Sequence, residues 1–308
     1  MRRIRGNERN EIEAVCRDFL CHDKESKTSP ALVAWEQICR PKKYGGLGLK
    51  KLHLWNLASI AKYVWWIESK AGHLWVKWVH AIYIKAGEWH SYKPTLNSSW
   101  SWRKLCQVKE RFLPLLQSGD GLQGGYTVSQ GYSWLQPAVE QVDWAPWIVN
   151  NWLVPKHGFI SWLAGQHRLL TQDRLLRMKI IQTNTCYLCG QGHEEHSHLF
   201  VRCVYSSTCK NLVSDWCKEK LPEQDWCEWW IKSRYRNISK KKIMGLILAA
   251  LIYHIWAARN TCRVDRFLSR PEVLLKKIKN DVRSRIKNCS FKSHSRGVVM
   301  WTDQMLVS

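Results

Sequence analysis

The chain has 308 residues, enough for two or three small domains, and a formal net charge of +23, which makes a polyanion the expected partner, nucleic acid before an anionic membrane. Its N-terminus (1–15) is charged and has no apolar segment, which excludes a secretory signal peptide; the 12 cysteines are therefore interpreted as reduced thiols or metal ligands and not as disulfides. We expect a nuclear or cytoplasmic protein that is not secreted.

The N-terminal part of the chain is predicted to be helical. Apolar residues recur at helical spacing in the stretches 10–20, 30–38, 54–67, 75–83 and 102–116. A glycine-rich turn at 45–48 lacks the pattern of a phosphate-binding loop. The polar stretch 91–99, which contains Pro94, is the expected linker.

Glycine-rich breaks at 119–125 interrupt this helical pattern. Tyr126 and Val128 follow these turn residues, which predicts a short β-hairpin. Ser129 can then cap the next helix, which holds Tyr132 and its neighbours. A further helix is predicted after Thr171, and it leads the chain into its most informative stretch, 186–203.

The stretch 186–203 has the spacing C-x2-C-x8-H-x4-C. A structural zinc site takes four tetrahedral thiolate and imidazole ligands, and a C-x2-C knuckle places two thiolates on one tight turn. Gly190 follows the second cysteine, where such a turn needs a positive φ. One helical turn can carry the other pair, with Leu199 and Phe200 directed into the protein. The spacing predicts one structural Zn²⁺ site with no open coordination position, formed by Cys186, Cys189, His198 and Cys203.

Three further residues are alternative ligands in the same region. His193 and His196 lie in the loop between the two predicted pairs, and Cys209 follows six residues after Cys203. A set of Cys186, Cys189, His193 and His198 would leave only three residues between the two pairs, which is a short connection for closing a tetrahedron. Cys203 with Cys209 lacks a turn residue between them. The spacing favours the first set, and the substitution of His193, His196 or Cys209 for one of its members stays open.

The longest apolar run, Ile243–Trp256, is shorter than the roughly 20 residues that a bilayer requires. It predicts a buried helix and no membrane partner, with His254 as a satisfied core histidine. The helix that follows Pro271 has an apolar stripe of Leu275, Ile278, Val282 and Ile286. It also has a continuous basic stripe, which could meet successive phosphates of RNA or DNA with low sequence specificity: Lys276, Lys279, Arg283 and Lys287.

These patterns predict a mainly α fold of several packed helices, with one small β-hairpin and one zinc knuckle. We divide the chain into a helical region at 1–95, a helical zinc-binding domain at 96–215 with its knuckle at 186–203, and a basic C-terminal helical region at 216–308.

Three stretches together resemble one family. PKKYGGLGLKKLHLWNLASIAKYVWWI is similar to the segment after the polymerase thumb in plant non-LTR (LINE-type) retrotransposon reverse transcriptases. VPKHGFISWLAGQHRLLTQDRL, CYLCG and EEHSHLFVRC resemble their reverse transcriptase zinc-binding domain, and LILAALIYHIWAARN resembles the helix after it. The resemblance implies the ligands Cys186, Cys189, His198 and Cys203, and it places Glu194 at the family's usual acidic position.

The chain departs from this family in one respect that concerns catalysis. Polymerase chemistry requires clustered carboxylates that hold two Mg²⁺ ions, and in the family a pair of adjacent aspartates supplies part of them. No two aspartates are adjacent anywhere in this sequence. We expect the fingers and palm, and a ribonuclease H-like domain, to lie outside this chain. The chain is therefore predicted not to be an enzyme.

Three functions remain to be separated. The first is a non-enzymatic, zinc-binding, retrotransposon-derived protein that binds RNA or DNA. The second is a fragment that assists a reverse transcriptase supplied in trans. The third is a structural or interaction protein, or a remnant without a role, in which zinc only maintains the fold.

Overall fold

A computed structural model of the chain describes residues 10–16, 32–118, 125–148, 151–221, 238–288 and 296–307. These parts are mainly helical and contain no strand. Their helices are α1 (10–16), α2 (Trp35–Ile38), α3 (Leu52–Glu68), α4 (Leu74–Val79), α5 (Trp100–Ser118), α6 (Val128–Trp134), α7 (Ala145–Ile148), α8 (Pro155–Gly165), α9 (Gln172–Arg177), α10 (Val204–Cys217), α11 (Ile238–Asp265), α12 (Pro271–Asn288) and α13 (Arg296–Val307).

The predicted β-hairpin is wrong, because Val128 is the first residue of helix α6. The side chain of Thr127 accepts a hydrogen bond from the amide of Gln130 at 3.2 Å, and the side chain of Gln130 accepts one from the amide of Thr127 at 2.9 Å. This reciprocal capping satisfies two amides that have no partner within the helix. Thr127, and not Ser129, is therefore the cap. The turn of the predicted hairpin, 119–124, lies outside the described residues.

The chain forms two compact units. The first contains the described parts of Met1–Ser29 together with Leu49–Glu140, and the second contains those of Pro30–Gly48 and Gln141–Ser308. The packing thus divides the chain at points other than 95 and 215, the boundaries drawn from the sequence. The division into three functional regions stays a prediction.

The first unit is built on α3, which packs against α5 and α6. Ala61, Val64 and Ile67 on α3 are buried against Phe112 of α5. Tyr126, just before α6, donates its hydroxyl to the carbonyl of Ala58 at 2.7 Å. The predicted apolar face of this helix is therefore the face that forms the core.

A buried lysine holds the segment that the sequence suggested as a linker. Lys109 of α5 is 2% exposed, and its ammonium donates to the carbonyls of Trp89 (3.1 Å), His90 (3.1 Å) and Tyr92 (2.6 Å). Burial lowers the pKa of this lysine, and neighbouring charged groups only partly oppose that effect. The start of the polar stretch 91–99 is thus fastened to the core of the first unit.

The second unit is organised around α11, which packs against α8 and α12. Almost every residue from Ile243 to Ile255 is buried, including His254, as the apolar run predicted. α11 is also long and apolar enough to cross a membrane by length and composition, but 67% of its most apolar stretch is buried within the protein. Such burial is typical of a core helix.

The glycine-rich turn at 45–48 packs closely within the second unit. Gly45 has a φ of +77°, and its carbonyl accepts a hydrogen bond from the buried indole of Trp162 at 2.8 Å. A Cβ atom on Gly46 would lie 2.0 Å from the carbonyl oxygen of Arg40. Glycine is therefore required here because the backbone folds closely on itself.

Helix α12 docks through a face that differs by one residue from the predicted apolar stripe. Leu274, and not Leu275, is the buried residue that precedes Ile278, Val282 and Ile286. The docking face therefore repeats strictly every four residues.

Candidate metal centre

The loop that carries Cys186 and Cys189 is a tight turn stabilised by backbone hydrogen bonds. The amide of Gly190 donates to the carbonyl of Cys186 at 2.9 Å, and the amide of Cys186 donates to the carbonyl of Gly192 at 3.1 Å. Gly190 has a φ of +68°, as the sequence predicted, and glycine adopts this conformation without steric cost.

His198 and Cys203 lie at the two ends of one wide helical turn. The segment His198–Arg202 is π-helical, and the amide of Cys203 donates to the carbonyl of His198 at 2.7 Å. Leu199 and Phe200 within this turn are buried, which confirms their predicted direction. Cys203 is also the N-cap residue of α10, directly before Val204.

The cysteine loop and the π-helical turn lie against each other. The ligand atoms of Cys186, Cys189, His198 and Cys203 all lie within 4.8 Å of one another. The Sγ atoms of Cys186 and Cys203 are 3.9 Å apart, and Sγ of Cys189 is 3.4 Å from Nε2 of His198. The donors of a tetrahedral zinc ion are spaced by about 3.5–3.8 Å, given the usual zinc–sulfur and zinc–nitrogen distances. The arrangement therefore has the size of a four-coordinate metal site.

The thiol of Cys203 is held in an environment that favours its thiolate. The hydrogen bond with Cys186 lowers the pKa of Cys203 and raises that of Cys186. The backbone amides of Ser206 and Tyr205 at the start of α10 also lower the pKa of Cys203, while burial opposes them. Thiolates, and not thiols, bind metal ions. Helix α10 thus supports the ligand chemistry of the residue that precedes it.

A buried ion pair supports this loop from the core helix α11. Glu194 and Arg259 are both 0% exposed, and the guanidinium of Arg259 donates to Oε1 of Glu194 from Nε at 2.9 Å and from Nη2 at 2.6 Å. The same oxygen accepts the amide of Gln172, at the start of α9, at 3.0 Å. The sequence identified Glu194 only through a family resemblance, and it gave no partner. Arg259 lies at the end of the apolar stretch of α11. A charged residue at this position was the one sequence signal that could have indicated a buried partner for Glu194.

Residues 126–209 match the family model described as zinc-binding in reverse transcriptase. This part of the chain is similar to that family. All four clustered residues lie inside the matched segment, and the match confirms the resemblance inferred from the sequence for this part of the chain.

The chain also shares 32% identity over 95 residues with a protein of Arabidopsis thaliana that is named as a ribonuclease H protein. The aligned part covers 30% of this chain and 15% of that relative, so this chain spans a small part of the relative's length. No solved structure matches the chain significantly.

The three alternative ligands predicted from the sequence lie in other surroundings. His193 is exposed, and its Nδ1 is 3.0 Å from the carbonyl oxygen of Asn184. His196 packs its ring against His167 at 4.2 Å and Phe200 at 5.0 Å. Cys209 is buried within α10, and burial raises its pKa to about 12. The clustered set in the described chain contains none of the three.

The predicted basic stripe of α12 divides into two pairs. Lys276 and Lys287 are exposed on α12. Lys279 lies over the ring of Trp216, 5.7 Å from its centre, and Nε of Arg283 donates to the carbonyl of Met305 at 3.0 Å. Two of the four residues therefore also contact neighbouring helices, because the buried face of α12 is wider than the apolar stripe alone.

Proposed function

We propose that this protein is a non-catalytic zinc-binding protein, derived from the C-terminal region of a plant LINE-type reverse transcriptase, that binds RNA or DNA. The observation that carries the proposal is the convergence of three cysteines and one histidine in a segment of a zinc-binding family. The charge of +23 supports the nucleic-acid partner.

Zinc is the metal that this donor set favours. Three thiolates and one imidazole in a tetrahedral arrangement are typical of structural zinc sites. With four protein ligands the ion has no open position for water or substrate, so its role is to hold the loop, π-helical turn and start of α10 together. This role supports a binding function and not catalysis.

The nucleic-acid surface that we propose includes the exposed residues of α12. Lys276 and Lys287 are the two members of the predicted stripe that are exposed on this helix. Lysine contacts with phosphates release bound counterions, so affinity falls as the salt concentration rises. Such contacts do not distinguish one base sequence from another.

A salt titration of the full chain with single-stranded RNA and duplex DNA tests this surface. We expect Lys276→Gln/Lys287→Gln to weaken binding to all sequences about equally and to reduce the slope of log affinity against log salt by one to two units, about one for each lost contact. Unchanged affinity and slope in this variant would contradict the proposed surface.

The matched control is Lys279→Gln/Arg283→Gln, which removes the same charge from the same helix. Because these side chains contact Trp216 and Met305, we expect this variant to lower the unfolding temperature more than the first one does. The two variants thus separate loss of phosphate contacts from loss of packing.

Primer extension tests the absence of catalysis. With Mg²⁺ and an RNA template we expect the full chain to extend no primer. Extension that persists through repurification and is unaffected by Cys186→Ser would contradict a non-catalytic role.

A further inference from the structure

Three helices of the second unit bring two histidines and one aspartate to the same point. His157 lies on α8, His254 on α11 and Asp281 on α12. Oδ2 of Asp281 is 3.2 Å from Nε2 of His157 and 2.8 Å from Nε2 of His254. The ligand atoms of all three residues lie within 4.8 Å of one another.

His157 is buried with incomplete hydrogen bonding. Its side chain is 0% exposed. Nδ1 has no hydrogen-bond partner in the described chain, and Nε2 faces Oδ2 of Asp281 at 3.2 Å without good hydrogen-bond geometry. Its ring instead packs against Tyr253, with centres 4.4 Å apart. Buried polar groups are almost always satisfied, so an imidazole in this position indicates an additional binding partner.

The chemistry of the three groups suits a cation. Burial lowers the pKa of His157 to about 4 and also lowers the pKa of His254, although Asp281 opposes both shifts. Both imidazoles are therefore neutral near pH 7, and a neutral imidazole has the lone pair that binds a metal. Two imidazoles and one carboxylate form a donor set that borderline divalent ions such as zinc accept, with water as the fourth ligand.

Two nearby lysines would repel a bound cation electrostatically, but their positions limit this repulsion. Lys156 and Lys277 act electrostatically on the histidines. The ammonium of Lys156 lies over the ring of Tyr253, 5.0 Å from its centre, and Lys277 is exposed on α12. The carboxylate of Asp281 lies between the two imidazoles and is the closest charge to both.

We propose that His157, His254 and Asp281 bind a second divalent transition-metal ion, distinct from the ion of the cysteine cluster. This ion joins α8, α11 and α12, the three helices that form the centre of the second unit. The side chain of Asp281 is 33% exposed, so solvent reaches the site at this residue, and a cavity of about 80 Å³ borders His254. Zinc is the ion with which the site is probed.

Zinc stoichiometry of the full chain tests the second site. Each protein is dialysed to equilibrium against buffered free Zn²⁺, and bound zinc is counted per chain by mass spectrometry. We expect Asp281→Asn and His157→Phe each to bind one equivalent fewer than the wild type. Asp281→Asn keeps an oxygen that can accept from His254, and His157→Phe keeps the ring contact with Tyr253, so both changes preserve packing.

Cys186→Ser separates this site from the cysteine cluster. We expect this variant to lose one equivalent by itself and to lose a second when it is combined with Asp281→Asn. Circular dichroism verifies that each variant is folded before its zinc is counted. Equal zinc in the wild type, Asp281→Asn and His157→Phe would overturn the proposal and leave the three residues as a hydrogen-bonded helix junction, whether or not the cysteine cluster binds zinc.

Discussion

Arg259 and Glu194 form a fully buried ion pair that connects the core helix α11 to the metal-site loop. Arg259 donates two hydrogen bonds to one carboxylate oxygen of Glu194, from Nε at 2.9 Å and from Nη2 at 2.6 Å. Its guanidinium also lies over the rings of Tyr187 and Trp256, 5.3 Å and 4.9 Å from their centres. The position of the loop therefore depends on a residue far from it in the chain.

We predict that Arg259→Met destabilises the second unit by about 3–5 kcal/mol, because it leaves the carboxylate of Glu194 buried without its charged partner. The same change should weaken zinc binding, since Glu194 lies between the two ligand pairs. Thermal unfolding and competition with a zinc chelator measure the two effects.

Arg177 provides a matched control on the surface. Its guanidinium is 2.8 Å from Asp173 on the same helix, and its side chain is 72% exposed. Exposed pairs contribute at most about 1 kcal/mol, so Arg177→Met should change the unfolding temperature little. Equal effects of the two substitutions would contradict the structural role of the buried pair.

Loss of a metal ligand should unfold the segment around 180–212. Binding of the ion supplies folding energy to this segment, in addition to its local backbone hydrogen bonds and the buried pair of Glu194 and Arg259. After Cys186→Ser or chelation, we expect amide hydrogens in 180–212 to exchange rapidly while those of α3 in the first unit stay protected. Exchange that is unchanged in 180–212 would mean that the loop folds without metal.

Gly46→Ala should destabilise the second unit. The new Cβ would lie 2.0 Å from the carbonyl oxygen of Arg40, so the backbone of the glycine-rich turn must shift, which disturbs the adjacent carbonyl of Gly45 that accepts from Trp162. Gly72→Ala is the control, because a Cβ at that position meets no atom within 4 Å. We expect a loss of about 2 kcal/mol or more for the first and a change within about 0.5 kcal/mol for the second. Denaturant unfolding compares them, and equal midpoints would contradict the close approach.

Lys109→Met should destabilise the first unit by about 3 kcal/mol, because three carbonyl oxygens lose a charged donor in a buried place. Arg111→Met changes an exposed residue of the same helix and should have an effect within about 0.5 kcal/mol. Chemical denaturation followed by tryptophan fluorescence reports the difference. A Lys109→Met variant as stable as the wild type would contradict this prediction, and it would mean that water donates to the three carbonyls in place of the ammonium.

The sequence was most informative where interacting residues lie close together in the chain. The spacing of Cys186, Cys189, His198 and Cys203 was sufficient to predict their convergence, because one turn and one helical turn carry them. Zinc binding by these residues stays a prediction. The periodicity of α3 likewise identified an apolar helix that packs into the core, since burial along a helix repeats with its own period. The continuous apolar run of α11 identified a helix that is buried on all sides.

Pairings between distant segments could not be predicted in this way. Glu194 and Arg259 are 65 residues apart in the chain. The ammonium of Lys109 contacts backbone carbonyls, and a pattern of side chains cannot indicate which carbonyls will lie near it. The hairpin prediction was wrong because the residues around Val128 suit a strand, whereas the reciprocal cap formed by Thr127 and Gln130 begins a helix. One member of the predicted stripe on α12 was wrong, Leu275 in place of Leu274, because the two adjacent leucines are equally apolar.

The visible and near-ultraviolet spectrum of the Co²⁺-substituted full chain tests the central claim most directly. Thiolate ligands produce an intense charge-transfer absorption that nitrogen and oxygen ligands lack, so the second proposed site does not interfere. We predict this absorption in the wild type and in Cys209→Ala, and its loss or strong reduction in Cys186→Ala and Cys203→Ala. A wild-type chain without the thiolate absorption, or one in which Cys209→Ala abolishes it while Cys203→Ala does not, would contradict the metal centre described above.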